Sequence, residues 1–196
     1  MSYLNSRGYI IPKNTLTEKE LNVIKDDLTV SPKENHAVNL IFSPEKKIIV
    51  YRENENKLYI PRFYGIEKNG EPSKYEIPSG DDIQVPFQNE LRDYQKDIVN
   101  VYLNHVKNGH GGGILEVPCG RGKTIMALNI LSQLQKKTLI IVHKEFLLNQ
   151  WVERMRDFLP TARVGKIQGK VFDIENKDVV IGMIQTMYDR PYPSNT

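Results

Sequence analysis

The sequence has a single cysteine, Cys119, among its 196 residues. An internal disulfide and a metal site built from several cysteines are therefore excluded. A long hydrophobic run is also missing, because the apolar stretch 138–142 is far shorter than the about 20 residues that a membrane-spanning helix needs. Near the N-terminus, the polar run Asn5–Gly8 stands where a secretory signal has apolar residues. These absences predict a soluble, intracellular protein that has no membrane partner.

A large excess of one charge is missing as well. The 27 Lys and Arg residues nearly balance the 24 Asp and Glu residues, which gives a net charge of +3. Residues 1–88 carry a net charge of −1 and residues 89–196 a net charge of +4. A positive excess of this size is compatible with binding a polyanion, but an ordinary solvated surface explains it better.

Turn-forming residues divide the first half into short elements. Thr17–Glu20 is a capping box followed by apolar residues at helical spacing, which predicts a helix over about 17–28. Two β-rich runs, 48–52 and 57–61, flank a turn-like segment and predict a hairpin. Repeated Pro and Gly residues over 61–86 predict a linker or loop-rich edge rather than a helix. This half is predicted to be a small α+β accessory domain.

After Pro86 the pattern changes to alternating apolar runs and helical spacing. The predicted order is helix 90–107, strand 113–118, helix 123–135, strand 138–142, helix 144–159, a short segment 163–167 and strand 178–183. Strands that alternate with helices indicate a parallel sheet with helices on its faces. The sequence thus predicts an α/β domain over residues 89–196, with a domain boundary at about residue 88.

The segment from Val117 to Thr124 has the composition of a phosphate-binding loop that opens a helix. Gly120 and Gly122 let the backbone curl so that successive amides point at phosphate oxygens. The helix that follows directs its positive N-terminal end at the same anion. Lys123 supplies a positive charge for the β- and γ-phosphates, and Thr124 supplies a hydroxyl ligand for Mg²⁺. The loop therefore predicts binding of a nucleotide together with Mg²⁺.

This loop departs from the strict pattern G-x-x-x-x-G-K-[ST], since Val117 occupies the first glycine position. It fits a form that a proline opens. The candidate nucleotide-binding residues are Pro118, Cys119, Gly120, Arg121, Gly122, Lys123 and Thr124, and the candidate catalytic residues are Lys123 and Thr124. For Cys119 a small side chain that faces its neighbours is the better interpretation, because no catalytic partner is evident.

With this loop, residues 90–188 resemble superfamily 2 helicases and translocases. The run Leu91–Gln95 is similar to the adenine-reading Q-type motif of the branch that includes excision-repair and phage recombination helicases. The resemblance implies that the bound nucleotide is ATP and that Gln95, with Arg92 beside it, contacts the base. A glutamine amide presents a donor and an acceptor together, which match adenine N7 and the N6 amino group. Taken alone, Gln95 also fits a solvated helix residue.

Three further segments resemble nucleic-acid-binding motifs of the same family: 138–151 motif Ia, 165–169 motif Ib and 179–187 motif Ic. The implied contacts are His143, Lys144, Lys166, Gln185 and Thr186. His143 and Lys144 follow a predicted strand, where open α/β sheets place ligand-binding groups. A solvated lysine at Lys144, and a helix N-cap without nucleic acid at Thr186, are equally good interpretations.

Ahead of this domain, the short run Ile60–Gly65 is similar to an N-terminal segment of helicases from large DNA viruses. If the protein is viral, it is expected in the host cytoplasm, a virus factory or the virion. Arg62 with Phe63 and Tyr64 offers a grip for DNA, but aromatic packing against the hairpin is the better use of these rings.

The family's acidic motif is missing. The sequence contains no Asp-Glu-x-His or Asp-Glu-x-Asp to hold Mg²⁺ and position the attacking water. It also lacks Ser-Ala-Thr and a second RecA-like domain with its arginine finger. The sequence is therefore interpreted as the accessory domain and the first part of RecA-like domain 1 of a longer ATP-dependent DNA helicase or translocase. Its expected partners are single-stranded or forked DNA, with RNA left open, and a second RecA-like domain of the same chain.

Two alternatives stay open. One is a non-catalytic nucleic-acid-binding or assembly module that keeps a vestigial ATP loop. The other is a small-molecule kinase, which lacks an evident acceptor site and does not explain the matches to motifs Ia and Ic. Residues that follow Thr196 would discriminate, because an acidic Asp-Glu-x-His there supports a helicase.

Overall fold

The computed structural model describes residues 1–31 and 47–190 of the chain. It divides into two compact units, Met1–Ser79 and Gly80–Thr196. The end of the chain at 192–196, which the sequence interpretation places just before the family's acidic motif, lies outside the described residues. Within the described ranges, every helix is too short or too polar to cross a membrane.

The first unit is built on a five-stranded sheet. Its elements are β1 (Tyr3–Asn5), β2 (Gly8–Pro12), α1 (Glu18–Asp27), β3 (Thr29–Val30), β4 (Ile48–Ile49), β5 (Arg52–Glu53), β6 (Lys57–Ile60), α2 (Arg62–Asn69) and β7 (Lys74–Tyr75). The strand order is β5-β6-β2-β1-β7, and all pairs are antiparallel except β1 with β7. Leu4, Tyr9 and Leu58 of the sheet pack with Ile24 of α1 in one buried cluster. This architecture confirms the predicted α+β class.

Two sequence predictions for this unit are confirmed in different degrees. The capping box is formed, because the Thr17 amide donates to Glu20 Oε2 at 2.8 Å and the Glu20 amide to Thr17 Oγ1 at 3.3 Å. The predicted hairpin forms only between β5 and β6. Ile48 and Ile49 pair instead with β3, so the run before the turn is divided between two sheets.

The prediction of a loop-rich edge over 61–86 is wrong at its beginning, where α2 lies. Pro61 is the N-cap residue of α2, outside the turns in which a missing N–H would break a hydrogen bond. Gly65 lies so close to the sheet that an added Cβ would be 2.3 Å from Tyr9 Cγ. The glycine therefore lets α2 pack against β2 and does not end the helix.

The second unit has strands and helices in alternation. Its elements are α3 (Asp93–His105), α4 (Lys123–Leu134), β8 (Thr138–Val142), α5 (Glu145–Phe158), β9 (Val164–Gln168), β10 (Val171–Phe172), β11 (Val179–Met183) and α6 (Ile184–Asp189). The strand order is β10-β9-β11-β8, in which β11 runs parallel to both neighbours and β10 is antiparallel to β9. This sheet confirms the predicted α/β class.

Helix α4 is the central helix of this unit because it is apolar on two sides. Its residues Leu128 and Leu131 belong to one buried cluster with the sheet and α5. Its residues Met126 and Ile130 belong to a second cluster with α3. The two clusters hold α4 between its neighbours, which fixes the position of the loop at its N-terminus.

The second unit differs from the sequence interpretation in one predicted strand and in the position of the domain boundary. The predicted strand 113–118 pairs with no described strand, and Ile114 is 96% exposed. Apolar composition alone is insufficient for a strand, since a ladder needs a neighbouring backbone. Ile83 and Val85, which precede the predicted boundary near residue 88, are buried in the core of the second unit.

Candidate nucleotide and nucleic-acid sites

The backbone at the start of α4 forms an open turn with left-handed glycines. Gly120 and Gly122 have φ angles of 77° and 81°, in the left-handed region that glycine adopts without strain. Gly122 is the N-cap residue and offers no side chain to the helix. The first hydrogen bond of α4 runs from Met126 N to Gly122 O at 3.1 Å. The amides of residues 123–125 therefore have no carbonyl partner within the helix and face outward as donors.

Lys123 bends back over this turn. Its ammonium group donates to Val117 O at 2.9 Å and to Pro118 O at 3.1 Å. Two opposite charges attract each other more strongly than an ammonium group and a neutral carbonyl group do. A phosphate that enters the turn would therefore compete with these two carbonyls for the ammonium group.

The N-terminus of α3 is fastened to the same loop. Gln95 is 4% exposed, and its Nε2 donates to Arg121 O at 3.0 Å while its Oε1 accepts from Arg92 N at 3.0 Å. The Tyr94 hydroxyl donates to the same Arg121 carbonyl at 3.2 Å. The Gln95 amide keeps one N–H and one lone pair for a further partner. It thus links α3 to the loop and retains the donor and acceptor that adenine reading requires.

Close packing at this junction explains why residue 122 is glycine. A Cβ at Gly122 would lie 2.4 Å from Gln95 Nε2, and the positive φ angle already disfavours a side chain. The remaining predicted loop residues surround the turn. Cys119 is exposed rather than packed against its neighbours, Thr124 is half-buried, and the Arg121 guanidinium lies 5.6 Å from the Tyr94 ring centroid.

A second group of residues, four of which are predicted nucleic-acid contacts, meets at the carboxyl ends of three parallel strands. We call it the strand-end edge; it consists of His143, Lys144, Gly169, Gln185 and Thr186. Gln185 Nε2 donates to His143 O at 3.0 Å, and Gly169 N donates to Thr186 Oγ1 at 3.0 Å. Lys144 is exposed at the start of α5 and makes no capping bond there. The fold therefore brings together residues that are up to about forty positions apart in sequence.

Lys166 does not join this edge. It lies inside β9, where its register partner is Ile181 of β11, and it is half-buried. The resemblance to motif Ib implies a nucleic-acid contact at Lys166, but a motif match gives no position of the residue within its strand. The structure thus separates Lys166 from the other four predicted nucleic-acid residues.

Arg190, which no motif of the sequence indicates, also lies at the strand-end edge. A shallow cavity of about 490 Å³ at the strand-end edge is lined by Arg190 together with Gly169, Gln185, Thr186 and Asp189. The guanidinium carbon of Arg190 lies 4.3 Å from the Phe172 ring centroid, and Nη2 donates to Gly169 O at 3.5 Å. The sequence signal for it is a basic residue shortly after the third motif. Such a residue is as typical of a solvated surface as of a nucleic-acid contact.

Residues 88–194 match the family model described as the type III restriction enzyme, res subunit. A candidate ATP-dependent RNA helicase of Acanthamoeba polyphaga mimivirus is 33% identical over 185 residues, which cover 92% of this chain and 35% of that protein. The DNA 3′-5′ translocase XPB2 of Sulfurisphaera tokodaii is 37% identical over 98 residues, which cover 50% of this chain and 21% of that protein.

A candidate helicase of Invertebrate iridescent virus 3 is 34% identical over 128 residues, which cover 61% of this chain and 39% of that protein. The chain thus spans between about a fifth and two fifths of the length of these three relatives. The family match covers more than half of the chain and contains both the loop and the strand-end edge. The chain belongs to the type III restriction enzyme res-subunit family, and through it to the superfamily 2 helicases.

Proposed function

We propose that this chain binds ATP at the loop before α4 and tracks nucleic acid at the strand-end edge, as part of an ATP-dependent DNA helicase or translocase. The observation that carries the proposal is the uncapped N-terminus of α4. Its outward amides, its two left-handed glycines and the Lys123 ammonium group meet around one turn. That combination concentrates donors and positive charge where a triphosphate needs them.

Magnesium would be bound together with the phosphates. Thr124 is the one predicted ligand of the loop, and a hard oxygen donor suits this ion. Among the described residues, no three His, Cys, Asp or Glu side chains cluster to hold a metal ion. The residues present therefore fit an ion that arrives with ATP, held by Thr124 and the phosphate oxygens, and they do not fit a metal site independent of the nucleotide.

Nucleic acid would lie along the strand-end edge. Lys144 is exposed there, Arg190 lies beside the cavity, and Thr186 presents a hydroxyl group and a backbone amide. Charged side chains, hydroxyl groups and helix N-termini are the groups that contact phosphates without reading the bases. The choice of DNA rests on the resemblance to excision-repair helicases, since the relatives that match include both a DNA translocase and a candidate RNA helicase. A second RecA-like domain would complete the ATP site.

Calorimetry with Mg²⁺-ATP and ADP tests the nucleotide site. We expect Lys123→Ala to lower affinity about ten- to a hundredfold, because a charge-assisted contact is worth about 1.5–3 kcal/mol. Lys107→Ala is the matched control, since it removes the same charge from an exposed residue that lies outside the loop. Equal affinity of wild type and Lys123→Ala would refute the phosphate site.

Fluorescence anisotropy with labelled single-stranded DNA tests the strand-end edge. Each phosphate contact that is lost should lower the log–log salt slope by about 0.7. We expect Lys144→Ala to show that decrease, whereas Lys166→Ala should show less because its side chain lies inside β9. If a Lys144→Ala, Lys166→Ala double variant keeps the affinity and slope of wild type, these lysines do not contact nucleic acid.

A further inference from the structure

A depression lies at one end of the sheet in the first unit. It has a volume of about 670 Å³ and is lined by Ser6, Arg7, Arg52, Glu53, Asn54 and Tyr59. A smaller depression of about 270 Å³ shares Arg7, Arg52 and Tyr59 with it. Arg7 stands in the turn between β1 and β2, and Arg52 stands on the edge strand β5 opposite Tyr59 of β6. We call this feature the arginine depression.

Among the described residues, the two arginines of the depression have no charged partner. Arg7 and Arg52 are exposed, and in residues 1–31 and 47–190 neither guanidinium group has a hydrogen-bond or ion-pair partner. Two positive groups at one concave surface repel each other and raise the local potential. An anion placed between them removes that repulsion and gains charge-assisted hydrogen bonds.

Glu53, the one acidic residue among the described residues that line the depression, already has positive partners. Glu53 Oε2 lies 2.6 Å from Lys13 Nζ, and Glu53 Oε1 lies 2.8 Å from Lys25 Nζ. Hydrogen bonds from Lys13 and then Lys25 lower the pKa of the Glu53 carboxyl group. This carboxylate is thus engaged on the side of the two lysines and does not serve as a partner for either arginine.

Neutral donors complete the depression. Asn54 Nδ2 donates to the Tyr59 hydroxyl oxygen at 3.3 Å, which leaves the Tyr59 O–H to donate elsewhere. Ser6 adds an exposed hydroxyl group at the turn. Arginine, tyrosine and serine side chains together are the donor set that proteins use on phosphate oxygens.

We propose that the arginine depression binds the sugar-phosphate backbone of the nucleic acid on which the second unit acts. Arg7 stands in the turn between β1 and β2, and β6 lies between that hairpin and β5, which carries Arg52, so the two side chains reach the depression from different strands. A depression of about 670 Å³ that two arginines line has room for more than one phosphate group, which suits a sugar-phosphate strand better than one free phosphate ion. The proposal rests on the proposed function, and it gives the first unit its own nucleic-acid contact although residues 1–88 carry a net charge of −1.

The test is a salt titration of the full chain with a labelled single-stranded DNA 20-mer, followed by fluorescence anisotropy. We expect Arg7→Ala, Arg52→Ala to lower the log–log salt slope by about 1.4, the contribution of two phosphate contacts on a single strand. The matched control is Lys19→Ala, Lys107→Ala, which removes the same charge from two exposed residues outside the depression. We expect this control to change the slope by less than half as much.

Two further arms separate the possible outcomes. Arg7→Lys, Arg52→Lys keeps the charge but loses the forked donors, so an intermediate affinity supports direct phosphate contact. Inorganic phosphate at millimolar concentration should not displace the DNA from the depression, whereas displacement would indicate a site for small anions and overturn the proposal. The proposal would also be overturned if Arg7→Ala, Arg52→Ala and the lysine control variant changed the salt slope equally, because the loss of charge alone would then explain the effect.

The Lys144→Ala variant distinguishes failure of this inference from failure of the proposed function. If Lys144→Ala lowers the slope and the arginine pair does not, the arginine depression is not a nucleic-acid site and the strand-end edge still is. If neither variant changes the slope, both proposals are wrong. Circular dichroism and thermal unfolding of each variant show whether the fold is kept.

Discussion

Replacement of Gln95 tests whether α3 holds the phosphate loop in position. Gln95→Ala removes the bond from Nε2 to Arg121 O and the bond from Arg92 N to Oε1, both 3.0 Å long. A neutral hydrogen bond contributes about 1 kcal/mol net, so two bonds set an expected loss of about 2 kcal/mol. The Arg121 carbonyl keeps the Tyr94 hydroxyl as a donor. We therefore expect about 1–2 kcal/mol less free energy of unfolding.

The shared carbonyl makes a double-mutant cycle informative. Tyr94→Phe alone should cost less than about 0.5 kcal/mol, because the exposed hydroxyl group can bond water and Gln95 still donates to Arg121 O. With both residues changed, that carbonyl loses both protein donors. We expect the double variant to lose at least about 0.5 kcal/mol more than the sum of the single changes, as for residues that share a partner.

Gln95→Glu is the control that separates the two roles of the amide. It keeps an oxygen that accepts from Arg92 N, but it places a second oxygen against the Arg121 carbonyl and so removes the donor to the loop. If Gln95 acts through the loop, ADP and GDP should weaken by the same factor. If Gln95 also reads the base, ADP should weaken more than GDP.

The assays are urea denaturation, for the free energy of unfolding, and calorimetric titration with ADP and GDP. The role of Gln95 in this junction is refuted if two results are obtained together. The unfolding free energies of Gln95→Ala and wild type would agree within about 0.3 kcal/mol, and the affinity for both nucleotides would be unchanged. Additive effects of Tyr94→Phe and Gln95→Ala would refute the shared carbonyl.

Three further outcomes are expected. The chain of residues 1–196 should hydrolyse ATP only at background rate, with or without DNA, because the sequence lacks the acidic pair; DNA-stimulated phosphate release would contradict this. Asp178→Asn should lower the free energy of unfolding by about 2 kcal/mol near pH 7, because hydrogen bonds from the Arg163 side chain stabilise this buried carboxylate and lower its pKa. That stabilisation is present above the ordinary pKa of 3.8 and is lost as the pH falls below that value. Urea denaturation should therefore show that the difference between wild type and Asp178→Asn shrinks below about pH 3.8. Gly165→Ala should destabilise the second unit by more than about 2 kcal/mol, because the added Cβ would lie 2.0 Å from Asp173 O. A thermal-unfolding temperature equal to that of wild type would contradict this packing.

The sequence by itself determined the features that depend on neighbours a few residues apart. The capping box at Thr17 joins residues three positions apart, and the loop before α4 needs only its glycines, its lysine and the helix that follows. The alternation of apolar runs and helical spacing was sufficient for the α/β class of the second unit. These interactions are local, so composition and spacing specify them.

Only the tertiary structure decided the features that depend on distant partners. Gly65 reads as a helix breaker in sequence, but its contact with Tyr9 makes it a packing residue. Gln95 reads as a solvated residue or a base contact, and its bonds to the loop depend on how α3 packs on α4. Ile114 was assigned to a strand, yet a strand needs a partner backbone that its own residues do not supply. Burial and pairing are properties of the folded chain, and the pattern of one segment does not contain them.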